Sequence, residues 1–275
     1  MSVAPASGRV GAATPKDAAT RKDPAPRKEA WFAGESAIVV GATGGLGSAI
    51  CSLLAARGAQ IYLLARDSRK LQACAESLPT TTKPHEWRSI DVHERDELCT
   101  AVAKWSAASI LVNSAGVNFP GPVTDLSAEQ YETMMSTNVD AVFWASRAFV
   151  ESRSREGRSG AIVNISSQMG TVGAHHRVAY CATKHAVEGM TKAFAVELAA
   201  DGWRVNAVAP TFVETELTAA YLSDPDQRAY VLSSIPQGRL ATASDVAAAV
   251  AFLASTQAQS ITGTTLLVDG GWVAK

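Results

Sequence analysis

The chain changes character at Val39-Val40-Gly41-Ala42-Thr43-Gly44-Gly45-Leu46-Gly47, where an apolar run meets a glycine-rich turn. A segment with helical apolar periodicity, 46–57, follows at once, so the order is strand, turn and helix. Such a turn presents unpaired backbone N–H groups and the positive end of a helix to a phosphate, and its glycines allow close approach. A glycine-rich turn that binds no ligand is the alternative interpretation.

The rest of the chain repeats this alternation of short apolar runs and longer amphipathic stretches. Several short runs are continuously apolar, which is typical of strands covered on both faces. The alternation predicts right-handed crossovers and an α/β fold: a Rossmann-like, doubly wound parallel sheet of about seven strands, with helices on both faces, in a single domain. Predicted strands cover 37–40, 61–64, 87–90, 110–112, 161–165, 204–208 and 265–268, and predicted helices cover 46–57, 68–78, 94–105, 128–150, 180–200 and 244–254.

Composition excludes several classes of protein. Of the 275 residues, 47% are hydrophobic and 19% are charged, so the chain can bury a sizeable core. Its formal net charge of -1 provides no basic surface, and we expect no nucleic-acid partner. There is no apolar run of about 18 residues, which predicts no membrane span. The 4 cysteines lack metal-ligand spacing and suit a reducing cytoplasm, so we expect a cytoplasmic protein without a metal site.

The first 30 residues differ from the remainder. They carry six Lys or Arg against three acids and contain no Ile, Leu, Phe, Tyr or Trp. Such a segment cannot bury enough apolar surface to offset the entropy of ordering. We therefore expect a disordered extension over 1–30, followed by one domain over 31–275. A targeting segment is the alternative, because Ala and Arg are frequent here.

Two connections are long enough to be functional loops, 117–126 and 210–237. Loops at the carboxyl ends of parallel strands are where such sheets hold ligands. The second connection contains Phe212, Tyr221 and Tyr230, which is enough apolar surface for a lid. We therefore predict that 210–237 is a substrate loop.

Ala65-Arg66-Asp67 ends the second predicted strand, where a nucleotide ribose would be recognised. An acid there binds the 2′-hydroxyl of the ribose, whereas an Arg accommodates a 2′-phosphate. Ala65 stands at the usual acidic position and Arg66 follows it, so the residues favour NADP over NAD. Asp67 leaves NAD possible, and a solvated surface charge is the plain alternative for Arg66.

Tyr180-Cys181-Ala182-Thr183-Lys184 lies in a predicted helix, where a spacing of four puts the phenol and the ammonium on one face. A nearby positive charge favours phenolate, so we expect the pKa of Tyr180 to lie below its usual value of about 10. The phenol would then serve as an acid or base. Ser167 follows the predicted strand 161–165 and could hydrogen-bond a substrate carbonyl. Taken alone, the Tyr–Lys pair also suits an ordinary amphipathic helix.

Taken together, the motifs resemble those of the short-chain dehydrogenase/reductase family, in its single-domain branch, over residues 32–275. The matching motifs are, in chain order, Gly41-x3-Gly45-x-Gly47, Asp91-Val92, Asn113-Ser114-Ala115-Gly116, Asn138-Val139, Ser167, Tyr180-x3-Lys184, Asn206 with Pro210, and Val268-Asp269-Gly270-Gly271. The resemblance implies an NAD(P)(H)-dependent oxidoreductase that interconverts a secondary alcohol and a ketone. It also implies a homotetramer in which the predicted helices 128–150 and 180–200 pack against their copies.

The resemblance further implies roles for single residues. Tyr180 would be the general acid/base, Ser167 would orient the carbonyl or hydroxyl, and Lys184 would bind the nicotinamide ribose and lower the pKa of Tyr180. Asn138 would hold a water that links Lys184 to bulk solvent, and Asp91 would contact the adenine. The full set of residues implied in cofactor binding is Gly41, Thr43, Gly45, Leu46, Gly47, Arg66, Asp91, Val92, Asn113, Ala115, Gly116, Tyr180, Lys184, Pro210, Val213 and Thr215.

The substrate is the least defined part of the resemblance. Segments 208–215 and 266–272 are similar to family members that oxidise sugars, polyols and related alcohols, which favours a small polar substrate such as a sugar, polyol or sugar acid. Four polar side chains would flank the pocket and bind hydroxyls or an anion, although ordinary loop polarity explains them equally well. They are Gln168, His175, His176 and Arg177.

Two other functions stay open. A 3-oxoacyl reductase acting on a carrier-bound chain would dock an acidic carrier on the basic stretch Arg147, Arg153, Arg155 and Arg158. A solvated helix end is the alternative interpretation of that stretch. A dinucleotide-binding sensor or scaffold without catalysis is disfavoured by the intact set Asn138, Ser167, Tyr180 and Lys184.

Overall fold

The computed structural model describes residues 30–275, and its core is a parallel sheet with the strand order β3-β2-β1-β4-β5-β6-β7. The order reverses between β1 and β4, which is where open α/β sheets form a ligand-binding crevice. This architecture confirms the predicted Rossmann-like fold. The strands are β1 Ser36–Val40, β2 Gln60–Ala65, β3 Glu86–Ser89, β4 Ile110–Asn113, β5 Ala161–Ile165, β6 Arg204–Pro210 and β7 Thr265–Val268.

Helices cover both faces of the sheet. They are α1 Gly45–Ala56, α2 Ser68–Ser77, α3 Arg95–Lys104, α4 Ala128–Met135, α5 Ala141–Ser154, α6 Val178–Leu198, α7 Glu216–Leu222, α8 Pro225–Ser234 and α9 Ala243–Ala254. Val39 packs on one face with α1, α2 and α9, whereas Ile38 and Val40 pack on the other with α3, α5 and α6. Successive strand residues point to opposite faces, so a strand covered twice needs an unbroken apolar run.

Two helical regions differ from the sequence prediction. The predicted helix 128–150 is interrupted by a π-helical turn at Ser136–Asp140, between α4 and α5. The 210–237 segment contains α7 and α8, which the periodicity did not predict. For α8 the sequence did contain a signal, the N-cap pair Asp224-Pro225. The Asp224 side chain accepts hydrogen bonds from the first turn of α8, and Pro225 stands in that turn.

The disorder expected for the first 30 residues concerns mainly residues 1–29, which lie outside the described part of the chain. Within residues 30–275, no helix is long and apolar enough to cross a bilayer. The same range contains no group of three or more His, Cys, Asp or Glu side chains arranged to hold a metal ion.

Candidate active site

In the glycine-rich turn after β1, the backbone lies so close to neighbouring segments at two positions that no side chain fits there. Gly41 has a φ of 82°, and a Cβ there would lie 2.5 Å from the backbone nitrogen of Ala115. A Cβ on Gly47 would lie within 3 Å of the Gly41 backbone, so α1 can begin close to the strand only with glycine here. The N-cap residue Gly44 provides no side-chain hydrogen bond to α1. The first N–H groups of α1 are therefore available to an anion.

Unpartnered polar atoms cluster at the same edge of the sheet. Within the described residues, six buried side-chain atoms at or beyond the ends of β4, β5 and β6, or just before α6, have no hydrogen-bond partner in the protein: Asn113 Oδ1, Ser114 Oγ, Asn118 Oδ1, Gln168 Oε1, Arg177 Nε and Thr211 Oγ1. Buried polar atoms are nearly always hydrogen-bonded in folded proteins. This concentration therefore indicates a ligand-binding cleft, and together with the glycine cradle it fits a dinucleotide.

The two residues that follow β2 have different environments. Asp67 caps α2, because its Oδ1 accepts hydrogen bonds from the backbone N–H groups of Arg69 at 2.9 Å and Lys70 at 3.0 Å. The Lys70 N–H bond is the main cause of a lowered pKa for Asp67. The Arg66 side chain is exposed and forms no ion pair with any described residue. Arg66 is therefore the side chain free to meet a 2′-phosphate, whereas the Asp67 carboxylate is engaged by its own helix.

The other predicted cofactor residues surround this cleft. Asp91 accepts a hydrogen bond from the His93 N–H at 3.0 Å, and Val92 packs against the core beside it. A Cβ on Gly45 would lie 2.7 Å from Thr215 Cγ2, so the glycine turn contacts the chain that follows β6. The fold thus brings to one edge the following residues: Thr43 of the glycine turn and Leu46 of α1, Asn113 at the end of β4 with Ala115 and Gly116 after it, and Pro210 at the end of β6 with Val213 after it.

Ser167, Tyr180 and Lys184 come together where β5 ends and α6 begins. The Tyr180 hydroxyl lies near that of Ser167, which accepts a bond from the Met169 N–H at 3.2 Å. The Lys184 Nζ donates a 2.9 Å hydrogen bond to the Ile165 carbonyl and lies 5.6 Å from the centroid of the Tyr180 ring. Burial lowers the pKa of Lys184 to about 8.

The expected lowering of the Tyr180 pKa is wrong for this arrangement. Burial raises the pKa of Tyr180 to about 12, and the nearby Ser167 hydroxyl offsets only part of that rise. The Lys184 ammonium is directed at the Ile165 carbonyl, and its own positive form is disfavoured by burial. Desolvation of the phenolate therefore outweighs the attraction that the i,i+4 spacing predicts.

Asn138 lies in the π-helical turn and is completely buried. Its Oδ1 accepts a hydrogen bond from the Val117 N–H, and its Nδ2 donates to the Val117 carbonyl and to Thr183 Oγ1. Both amide hydrogens are thus used within the protein, so only Oδ1 has capacity for the predicted water. A Cβ on Gly116 would lie 3.5 Å from Asn138 Oδ1 and 3.8 Å from Lys184 Nζ, so Gly116 lies beside both residues.

The predicted basic docking stretch is not a continuous basic surface. Arg153 is buried and donates to the carbonyls of residues 106–108 and 159. Arg155 pairs with Glu151 and Arg158 pairs with Glu156. Of the three exposed arginines in the stretch, Arg147 alone has no acidic partner among the described residues, and it lies over the Trp144 ring. The stretch therefore offers one unpaired exposed guanidinium rather than a row of four.

Ser114, in the motif that follows β4, and Thr211, just after β6, carry buried oxygens without a partner. Sequence reasoning missed two other groups at this site. Asn118 also carries a buried, unpartnered oxygen, and Thr183 links Asn138 to the backbone of Tyr180. No local pattern indicated Thr183. Of the four side chains expected to flank the pocket, Gln168 and Arg177 are buried whereas His175 and His176 are exposed.

Comparisons with known proteins cover almost the whole domain. A family model described as enoyl-(acyl carrier protein) reductase matches residues 41–273. A 3-oxoacyl-(acyl-carrier-protein) reductase from Escherichia coli is 39% identical over 241 residues, which are 87% of this chain and 98% of that protein. A galactitol 2-dehydrogenase (L-tagatose-forming) from Cereibacter sphaeroides is 38% identical over 244 residues, with 87% and 95% covered.

A solved structure is similar over the same range. It is provisionally named as an NAD(P)-dependent gluconate 5-dehydrogenase from Beutenbergia cavernae and contains NADP at low occupancy. Its TM-score is 0.84 at 35% identity, and the match covers 89% of this chain and 98% of that one. The relatives share their full length with this chain but differ in the substrates they are named for.

Proposed function

Because the chain belongs to the short-chain dehydrogenase/reductase family, we propose that it is an NADP-dependent oxidoreductase that interconverts a small polar secondary alcohol and its ketone. The substrate class is a sugar, polyol or sugar acid. The observation that carries this proposal is the meeting of Ser167, Tyr180 and Lys184 beside the cleft of unpartnered polar atoms. A pure dinucleotide sensor would not need a positioned phenol.

We place NADP in the crevice between β1 and β4. The diphosphate would lie on Gly41, Gly45, Gly47 and the first N–H groups of α1, and Arg66 would bind the 2′-phosphate. When bound, the nicotinamide of NADP accepts or supplies the hydride. The other residues that we place at the cofactor are Thr43, Leu46, Asp91, Val92, Asn113, Ala115, Gly116, Tyr180, Lys184, Pro210, Val213 and Thr215. NADP in the relative from B. cavernae supports this choice.

The side chains supply the proton chemistry. With a pKa of about 12, the Tyr180 phenol is protonated at neutral pH and is ready to donate to a ketone oxygen. The Ser167 hydroxyl would donate a hydrogen bond to the same oxygen and orient it. Lys184, with a pKa of about 8, would then return a proton to Tyr180. Asn138 would act as a positioning residue that fixes the chain after β4 beside Lys184.

A 3-oxoacyl reductase is the second candidate. The 39% identity to the E. coli reductase favours it. The pairing of Arg155 and Arg158 with acids and the burial of Arg153 count against carrier docking at that helix end. The galactitol and gluconate enzymes among the relatives support a small polar substrate instead.

A substrate screen tests the proposal. Purified enzyme would be assayed in both directions with NAD and NADP against polyols, sugars, sugar acids and a carrier-bound 3-oxoacyl chain. We expect the highest kcat/KM for a polyol, sugar or sugar acid with NADP. Turnover confined to the carrier-bound chain would overturn the proposed substrate class, and a strong preference for NAD would overturn the role of Arg66.

We also propose a cytoplasmic homotetramer. The 4 cysteines are free thiols, which suits a reducing compartment. A groove of about 440 Å³ runs between α5 and α6 and is lined by apolar side chains that include Phe143, Met190 and Phe194. A second copy of the chain would cover this apolar surface. Light scattering should give four times the chain mass, and a monomer would contradict the assembly.

A further inference from the structure

Arg177 lies immediately before α6 and is only 7% exposed. Its guanidinium carbon is 5.2 Å from the centroid of the Tyr221 ring in α7, and its Nη1 donates a 3.0 Å hydrogen bond to the His176 carbonyl. Its Nε is buried and has no hydrogen-bond partner. The side chain therefore lies between the start of α6 and the 210–237 segment, and its buried Nε–H group is unused.

The backbone that holds this guanidinium is strained. His176 has a φ of 58°, and it is the single non-glycine residue with positive φ in the described range 30–275. This conformation costs about 1 kcal/mol for such a residue, and strained residues of this kind concentrate at functional sites. It directs the His176 carbonyl to two donors, the Arg177 Nη1 and the Gly121 N–H at 3.1 Å. The turn at His176 thus fixes the position of the guanidinium.

The charge of Arg177 is not balanced within the described protein. A guanidinium stays protonated at physiological pH, and burial lowers its pKa because the charge is poorly solvated. The ionisable groups that face it are Tyr180, Cys181 and Tyr221, and none of them is a carboxyl group. No described carboxylate forms an ion pair with it. A buried unpaired cation is costly, and an anionic ligand would supply the missing charge.

The position of Arg177 places such an anion next to the reacting centre. Arg177 precedes Tyr180 by three residues, and its charge lowers the pKa of Tyr180 in part, so the two groups lie close together. Gln168 Oε1 and Thr211 Oγ1, also buried and unpartnered, lie at the ends of the neighbouring strands β5 and β6. These acceptors suit the hydroxyl groups of a sugar chain, whereas the guanidinium suits a carboxylate.

We propose that Arg177 binds the carboxylate of the substrate, so that the enzyme acts on sugar acids in preference to neutral polyols. This inference rests on the proposed function and narrows its substrate class. It assigns Arg177 a role in specificity that is separate from the proton transfer of Tyr180.

A matched pair of substrates tests the inference. D-Gluconate and D-glucitol share a hydroxylated six-carbon chain and differ at C1, where one has a carboxylate and the other a CH2OH group. The kcat and KM for both would be measured with NADP for wild type, Arg177→Gln and Arg177→Lys. Arg228→Gln is the control, because Arg228 lies in the 210–237 segment that Arg177 contacts but is exposed and already paired with Glu214 at 2.6 Å.

We expect wild type to prefer D-gluconate by about tenfold or more in kcat/KM, as one charge-assisted bidentate contact provides. Arg177→Gln should raise the KM for D-gluconate about tenfold, whereas its KM for D-glucitol should stay within about twofold of the wild-type value. Arg177→Lys should restore part of the affinity, and Arg228→Gln should behave as wild type. Equal losses on both substrates would show that Arg177 only supports α7, and would overturn the inference.

A second measurement does not depend on the folding of any variant. In dead-end mixtures of wild type with NADPH, D-gluconate should raise the Tm more than D-glucitol at equal concentration. Equal shifts, or equal use of both alcohols by wild type, would overturn the inference and leave the proposed function intact. Turnover of only a carrier-bound 3-oxoacyl chain would overturn both.

Discussion

Asn138 and Val117 are joined by two hydrogen bonds of 2.9 Å each, so that the side-chain amide pairs with both backbone groups of Val117. Asn138→Asp keeps the acceptor but loses both donors and buries a charge. We expect the free energy of unfolding in urea to fall by about 3 kcal/mol, since an unpaired buried charge adds to two lost bonds. Gln259→Glu, the same change at an exposed site, should shift it by less than about 0.5 kcal/mol. Equal stability of the two variants would show that the hydrogen bonds between Asn138 and Val117 do not stabilise the fold.

Gly41 and Gly34 have nearly the same φ, 82° and 84°, but different surroundings. A Cβ on Gly34 meets nothing within 4 Å, whereas one on Gly41 would lie 2.5 Å from Ala115 N. Gly34→Ala should therefore cost only backbone strain, about 1 kcal/mol. Gly41→Ala should cost more and weaken NADPH binding about tenfold or more, measured by denaturation and by fluorescence titration. Equal losses of stability and of NADPH affinity in the two variants would argue against a close approach of Gly41 to the Ala115 backbone.

The Tyr180 hydroxyl is the proposed proton donor, so its removal separates catalysis from binding. Tyr180→Phe should lower kcat by a factor of about 10² to 10⁴ while the Kd for NADPH stays within about twofold. Tyr230→Phe removes an exposed hydroxyl and serves as the control. If turnover survives in Tyr180→Phe, the phenol is not the acid.

Lys184 should make stability depend on pH. Its pKa is about 8 in the folded protein, against 10.5 as the ordinary value, so the unfolded chain binds more protons between these values. The burial penalty is therefore full below pH 8 and is relieved as the pH rises towards 10.5. Relative to Lys184→Met, wild type should gain about 2 kcal/mol of stability from pH 7 to pH 10, measured by urea denaturation at each pH. A difference that is constant with pH would refute the lowered pKa.

Arg153 and Arg155 lie two residues apart, but the first is buried and the second is exposed. Arg153→Met removes a buried guanidinium that donates to several backbone carbonyls, including those of Ala108 and Ser159. It should lower the free energy of unfolding by about 3 kcal/mol, because those carbonyls lose their partners. Arg155→Met breaks one exposed pair with Glu151 and should cost less than about 0.5 kcal/mol. Comparable losses in thermal denaturation would contradict this assignment.

The central strands were readable from the sequence because burial on both faces demands unbroken apolar runs. β5 lies at Ala161–Ile165, as predicted, and all its residues are buried. α7 and α8 were not readable in the same way. They bury only Leu222 and Val231 between them, so their periodicity is weak, and polar caps rather than packing mark their beginnings.

The environment of the site residues could not be predicted from the sequence. The spacing of Tyr180 and Lys184 predicts that they share a helix face, but their pKa values depend on burial by segments distant in the chain. The same holds for Arg153, whose carbonyl partners come from two separate loops. Residue types identify candidate chemistry, whereas solvation follows only from the assembled fold. The catalytic and cofactor roles themselves stay predictions.

The helices α7 and α8 share a small apolar cluster of their own. Leu222, Val231 and Ile235 make a cluster separate from the two main clusters on the faces of the sheet. Opening this cluster exposes little apolar surface, so its opening free energy is far smaller than that of global unfolding. We expect the amides of 216–234 to exchange with deuterium well before those of β1 and β4. We predict that the 210–237 segment acts as a lid, and that its opening, rather than the hydride step, sets the turnover rate.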